Sequence, residues 1–191
     1  MDEKELHKKL HDQTVRRLEY TDVPHPAMII AFCGIPGSGK TSLATRLARD
    51  LQAQYIQTDA LRRIAHEQLG VKKVDVHPPA RQVLTTITEN YTNKLIIFDC
   101  SIDRTWRDFL EVCKEINTAS FVIRIVIDPA EANARLKRRG RYDDAELIEG
   151  TERRQAQFLK CKEELAADVE VTVPFDYQEV LDAVKKQLTQ L

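Results

Sequence analysis

The apolar run Met28 to Cys33 feeds directly into Gly34-Ile35-Pro36-Gly37-Ser38-Gly39-Lys40-Thr41, and from about Lys40 to Leu51 the periodicity becomes helical. This is the pattern G-x-x-x-x-G-K-[ST] in the strand-loop-helix context that gives it meaning. Glycines allow the backbone to curl until successive N–H groups point at phosphate oxygens, and the helix N-terminus adds its positive dipole end. Gly34 to Thr41, with Ser42 following, therefore form the expected phosphate cradle. Lys40 supplies a mobile charge to the β and γ phosphates and the Thr41 hydroxyl is a Mg2+ ligand. Guanine selectivity would require Asn-Lys-x-Asp; Thr92-Asn93-Lys94 approaches it, but Ile96 stands where the aspartate should be. ATP with Mg2+ is the expected ligand.

The same alternation continues along the chain. Short apolar runs at Met28 to Cys33, Tyr55 to Gln57, Leu95 to Phe98, Phe121 to Ile127 and Val169 to Val173 read as buried strands. Between them lie helical periodicities at about Lys40 to Leu51, Ala60 to Leu69, Ala80 to Tyr91, Thr105 to Glu115, Pro129 to Arg139, Asp144 to Ala166 and Tyr177 to Leu188. Connections of this length imply right-handed crossovers and an α/β fold with a parallel sheet covered on both faces. Ahead of it, Leu6, Leu10, Val15 and Leu18 predict an amphipathic helix over residues 2 to 20. The expected organisation is an N-terminal helical extension, 1–26, and one domain, 27–191.

With 191 residues, such a chain can bury a substantial core without disulfides. The four cysteines, Cys33, Cys100, Cys113 and Cys161, lack CxxC spacing, which argues for free thiols in a reducing cytosol. No apolar run nears the roughly 18 residues that a membrane span needs, so a cytoplasmic location and no membrane association are expected. Lysine plus arginine (29) balances aspartate plus glutamate (30), so any anionic ligand must be held by a local cluster. His7 and His11 have metal-compatible i, i+4 spacing, but no third ligand stands near them in the sequence.

Ligands of parallel α/β sheets bind beyond the carboxyl ends of the strands, which directs attention to two acids. Asp59 opens Asp59-Ala60-Leu61-Arg62, setting a carboxylate at a helix start and a guanidinium one turn later. Asp59 is a candidate general base and Arg62 a clamp for an acceptor anion; alternatively the two form a local ion pair or a helix cap. Asp99 closes Leu95-Ile96-Ile97-Phe98-Asp99, four apolar residues and an acid, and is a candidate hold on Mg2+ or its waters, or a capped strand end. Later, Arg135, Arg138, Arg139 and Arg141 form a basic segment ahead of and around Gly140, suited to closing over a triphosphate as a lid at about 135–145, or to a solvated face.

Together these elements resemble the small P-loop kinases of the polynucleotide 5'-kinase and zeta-toxin type, over about Met28 to Leu188. The resemblance implies a P-loop NTPase three-layer sandwich with a five-stranded parallel sheet in the order 2-3-1-4-5, and transfer of the γ-phosphate of ATP to a hydroxyl. It implies Asp59 as base, Arg62 at the acceptor phosphate, and Arg135 and Arg139 as lid arginines. Where that branch often continues Asp-Thr-Asn, this chain has Asp99-Cys100-Ser101. The near-neutral charge favours a small-molecule acceptor over a polynucleotide, which recruits an extended basic groove. A rival from another class is a nucleotide-dependent switch whose N-terminal helix engages a protein partner.

Overall fold

A computed structural model describes residues 2–18, 23–140 and 144–191. Five strands, β1 (His25–Cys33), β2 (Gln54–Gln57), β3 (Asn93–Ser101), β4 (Ala119–Val126) and β5 (Val169–Thr172), form one sheet. All four pairings are parallel, in the order β2-β3-β1-β4-β5. The central strand is buried along its whole apolar run, Met28 to Cys33. Its alternating side chains divide the interior into two layers. Ile29, Ala31 and Cys33 join one cluster, whereas Met28, Ile30 and Phe32 join the other.

Helices cover both layers. The first is closed by α1 (Glu3–Val15), α3 (Thr58–Leu69), α4 (His77–Asn90) and α5 (Trp106–Glu115), and the second by α2 (Lys40–Asp50) and α8 (Tyr177–Leu188). Two further helices, α6 (Pro129–Arg138) and α7 (Asp144–Glu164), stand at the carboxyl edge, where Ile35, Ile127, Ala132 and Phe158 make a small third cluster. The result is the expected three-layer α/β sandwich.

The N-terminal helix is shorter than its periodicity predicts, ending at Val15. Asp2 caps it, accepting from the Glu5 N–H at 2.8 Å. Leu6 and Leu10 are buried in the first core cluster against α3 and α4, so this helix packs as part of the core. Burying a leucine fully stabilises by about 1.5–3 kcal/mol, and Leu10 is fully buried. The rest of the predicted helix, residues 19 and 20, and residues Arg141 to Asp143 of the expected lid lie outside the described residues. No helix among the described residues is long and apolar enough to cross a membrane.

Candidate active site

The carboxyl edge of β1 turns directly into the glycine-rich loop, and α6 crosses tightly over it. Gly37 has a positive φ of 86°, and a Cβ there would stand 2.6 Å from the Ala132 carbonyl oxygen on α6. Only glycine satisfies both demands. Lys40 opens α2 and its Nζ donates to the Gly34 carbonyl at 2.5 Å, the Ile35 carbonyl at 3.0 Å and the Ser38 hydroxyl at 3.4 Å. Burial pushes the ammonium below its ordinary pKa, while the charges of Asp103 and Asp99 pull the other way.

Asp99 lies at the end of β3, buried, beside the start of α2. Its Oδ1 accepts from the Thr41 hydroxyl at 3.3 Å, and its Oδ2 accepts from the Tyr55 hydroxyl at 2.8 Å and the Gln57 amide at 2.9 Å. Both supporting residues come from β2, which pairs Gln57 with Asp99 in register. Thr41 and Asp99 thus present two hard oxygen donors side by side, the donor set that suits Mg2+. Tyr55 and Gln57 were not legible as site residues, because strand pairing alone brings them to Asp99.

A third acid, Asp103, escaped the motif reading. It sits in the 3-10 turn Ile102–Arg104 that follows β3, and accepts from the Gly34 N–H at 3.1 Å, with Ser101 also hydrogen-bonded to it. Burial pushes its carboxyl above the usual range, against the Ser101 hydroxyl, the Lys40 charge and the Gly34 N–H. The acid therefore fixes the first residue of the loop from below. Its only sequence signal is a position four residues beyond Asp99.

The loop forms one wall of a cavity of about 300 Å³, and Asp59, Arg62, Asp99 and Arg139 line it as well. Five cationic side chains (Lys40, Arg62, Arg104, Arg139, Arg154) face three acids (Asp59, Asp99, Asp103) around it, giving a local positive excess in a chain of net charge −1. This is the local cluster that an anionic ligand requires. Asp59 lies inside the first turn of α3 and caps nothing, since the helix starts one residue earlier with Gln57 at the N-cap. It pairs with Arg62 at 2.6 Å; both are substantially exposed.

The late arginines divide. Arg139, at the C-cap of α6, lines the cavity, whereas Arg135 is held by Glu131 one turn back at 2.6 Å and is not among the lining residues. Arg138 reaches the Ala134 carbonyl, at 3.4 Å. In exchange α7 contributes Arg154 and Gln157, which no motif marked. Trp106 packs partly buried against the first core cluster with the Arg107 guanidinium 4.5 Å over its ring. His7 pairs with Glu3 within its helix, and His11 contacts its neighbour Asp12 and, across to α4, Thr86.

A family model described as AAA domain matches residues 29–164. No curated protein matches the chain. Among solved structures, a protein described as a putative kinase from Chloroflexus aurantiacus is similar at TM-score 0.59 and 18% identity, over 88% of this chain and 98% of that one. A gluconokinase from Sinorhizobium meliloti is similar at TM-score 0.51 and 21% identity, over 88% and 94%. A shikimate kinase from Bacteroides thetaiotaomicron is similar at TM-score 0.53 and 16% identity, over 87% and 99%. At these identities the likeness shows the shared fold.

Proposed function

This chain belongs to the AAA domain family, and on that premise we propose that it is an ATP-dependent phosphotransferase acting on a hydroxyl of a small molecule. The observation that carries the proposal is the meeting of three unlike groups on one cavity: the phosphate cradle, the Thr41 and Asp99 oxygen pair, and the exposed carboxylate–guanidinium pair Asp59–Arg62. A cradle and a metal site alone serve a switch equally well. An exposed carboxylate beside them adds a proton acceptor for an incoming hydroxyl.

In this reading Gly34 to Ser42 bind the triphosphate through backbone N–H groups, and Lys40 exchanges its carbonyl partners for phosphate oxygens. Thr41 and Asp99 would hold Mg2+, which supplies charge neutralisation at the phosphates. Asp59 takes the proton of the acceptor hydroxyl as that oxygen bonds to the γ-phosphorus, and the electron pair of the broken bond leaves with ADP. Arg62 orients the acceptor; an anionic acceptor draws it from Asp59 and frees the carboxylate. Arg139, with Arg154, neutralises charge from the lid side. The finer resemblance to polynucleotide 5'-kinases and zeta toxins rests on Asp59-x-x-Arg62 and Arg135 to Arg139. The cavity volume and the near-zero net charge support a small acceptor, of the kind named for the gluconokinase and the shikimate kinase.

The deciding experiment supplies γ-labelled ATP with sugars, sugar acids, nucleosides, antibiotics and 5'-hydroxyl oligonucleotides. Label on a small hydroxyl compound is expected. Release of free phosphate alone, unaffected by any acceptor, would show a switch or an ATPase instead.

A further inference from the structure

Beneath the phosphate loop two thiols meet. Cys33, the last residue of β1, and Cys161 on α7 stand 128 residues apart in the chain, yet their Sγ atoms are 3.7 Å apart and both are buried. We propose that Cys33 and Cys161 are a redox modification site, forming a reversible intramolecular disulfide with hydrogen peroxide, an oxidant small enough for a buried pair, and that the bond weakens nucleotide binding at the adjoining loop.

The surroundings make the two sulfurs unequal. The hydrogen bond between the two sulfurs, and after it the positive charge of Arg124, hold the Cys161 thiol below its ordinary pKa against burial and the charge of Asp103. The same bond, with burial, pushes Cys33 well above the ordinary thiol value. Arg124 is buried and its Nε has no hydrogen-bond partner. A carboxylate oxygen of Asp103 completes the group, with the ligand atoms of the three side chains within 4.8 Å of one another. The cations Arg124 and Lys40 beside this cluster favour a thiolate over a bound metal ion.

The chemistry follows from that asymmetry. The Cys161 thiolate attacks one oxygen of hydrogen peroxide, the O–O bond breaks, and a sulfenic acid forms as hydroxide leaves and takes up a proton to become water. Cys33 then attacks the Cys161 sulfur, its proton passing by way of Asp103 to the departing hydroxide, which leaves as a second water. Two cysteine thiols are oxidised and one peroxide is reduced to two waters.

Closing the sulfurs from 3.7 Å to a bond of about 2.05 Å must draw the end of β1 and α7 together. Gly34 follows Cys33 directly, and a Cβ there would already meet the Ile125 carbonyl oxygen and the Ser38 hydroxyl at 2.9 Å. Gly34 is also tied by its N–H bond to Asp103 at 3.1 Å, so a shift at Cys33 is passed into the loop. On the other side, α7 carries Arg154 and Gln157, which line the cavity.

The test treats the full chain with hydrogen peroxide at a slight molar excess, maps peptides without reduction, and titrates MgATP before and after. The expected results are a Cys33–Cys161 linked peptide and a fall in ATP affinity of about tenfold or more, reversed by dithiothreitol. Cys161→Ser and Cys161→Ala should bind ATP as the native chain does in the reduced state and lose both effects of the oxidant, while Cys113→Ser keeps them. Three results would overturn the proposal: no linked peptide, a link to Cys100 or Cys113 instead, or a co-purifying metal ion whose removal frees both thiols. A link that leaves ATP affinity unchanged would overturn the coupling to the loop. Absence of ATP binding by the reduced chain would count against the proposed function, and the peptide map would still decide the disulfide.

Discussion

The floor and the rim of the cavity are built on different principles. On the floor each polar group has several partners: Asp99 receives hydrogen bonds from the distant elements α2 and β2, and Lys40 is held by three acceptors of the loop that precedes it. On the rim, Asp59 pairs with Arg62 three residues on, and Arg135 with Glu131 four residues back, each within one exposed helical turn. The floor is pre-organised by the sheet and resists rearrangement, which suits binding a constant ligand. Rim pairs of this kind are worth only about 0–1 kcal/mol, so an acceptor or a closing lid can exchange their partners at little cost.

The sharpest way to break this division is Asp59→Asn. If the rim carries chemistry and the floor carries binding, turnover should fall about 10²–10⁴-fold while ATP affinity, read by titration calorimetry, stays within about twofold. Equal losses in both would erase the distinction. Gly37→Ala attacks the floor by backbone geometry instead, since its Cβ meets the Ala132 carbonyl oxygen at a positive φ. We expect a loss of about 2–4 kcal/mol, seen as a melting temperature lowered by about 5–12 °C, together with weakened ATP binding.

The arginines proposed for a lid sharpen the rim itself. Arg139→Ala should reduce turnover about 10–100-fold, whereas Arg135→Ala, whose side chain is committed to Glu131, should change it by less than about threefold. A reversed order would mean that the lid closes with Arg135 inward. The smallest effect is at Glu170, which does not line the cavity and whose carboxyl is held below its ordinary range by Lys162 and then Arg124. A depressed carboxyl pKa stabilises the folded state above the unfolded value, near pH 4.3, and that contribution is lost as pH falls through the folded value. Glu170→Gln should therefore lower the melting temperature at pH 7 by about 2–4 °C, roughly 1 kcal/mol, with the gap closing below about pH 4.

Helix and strand types were readable because β1 and β3 are buried on both faces and the helices carry one apolar stripe each. Boundaries moved where tertiary contacts extended the pattern: β3 runs from Asn93 to Ser101, beyond its apolar core, because both flanking strands pair with it. The loop, Asp59, Arg62, Asp99 and Arg139 were legible as local spacings. Arg154 and Gln157 were not, since a single residue on a long helix carries no mark of which cavity it faces. The meeting of Cys33 with Cys161 was not legible either, because it arises only where α7 folds back under the loop.

By itself, the sequence determined the α/β class, the glycine-rich loop after the first strand and the chemical types of the main side chains around it. These depend on short-range periodicity and on backbone conformations that particular residues permit. Only the tertiary structure decided which acid braces Gly34, which arginines face the cavity, and that Cys33 meets Cys161. Those outcomes depend on strand register and helix docking, where groups as much as 128 residues apart are brought into contact.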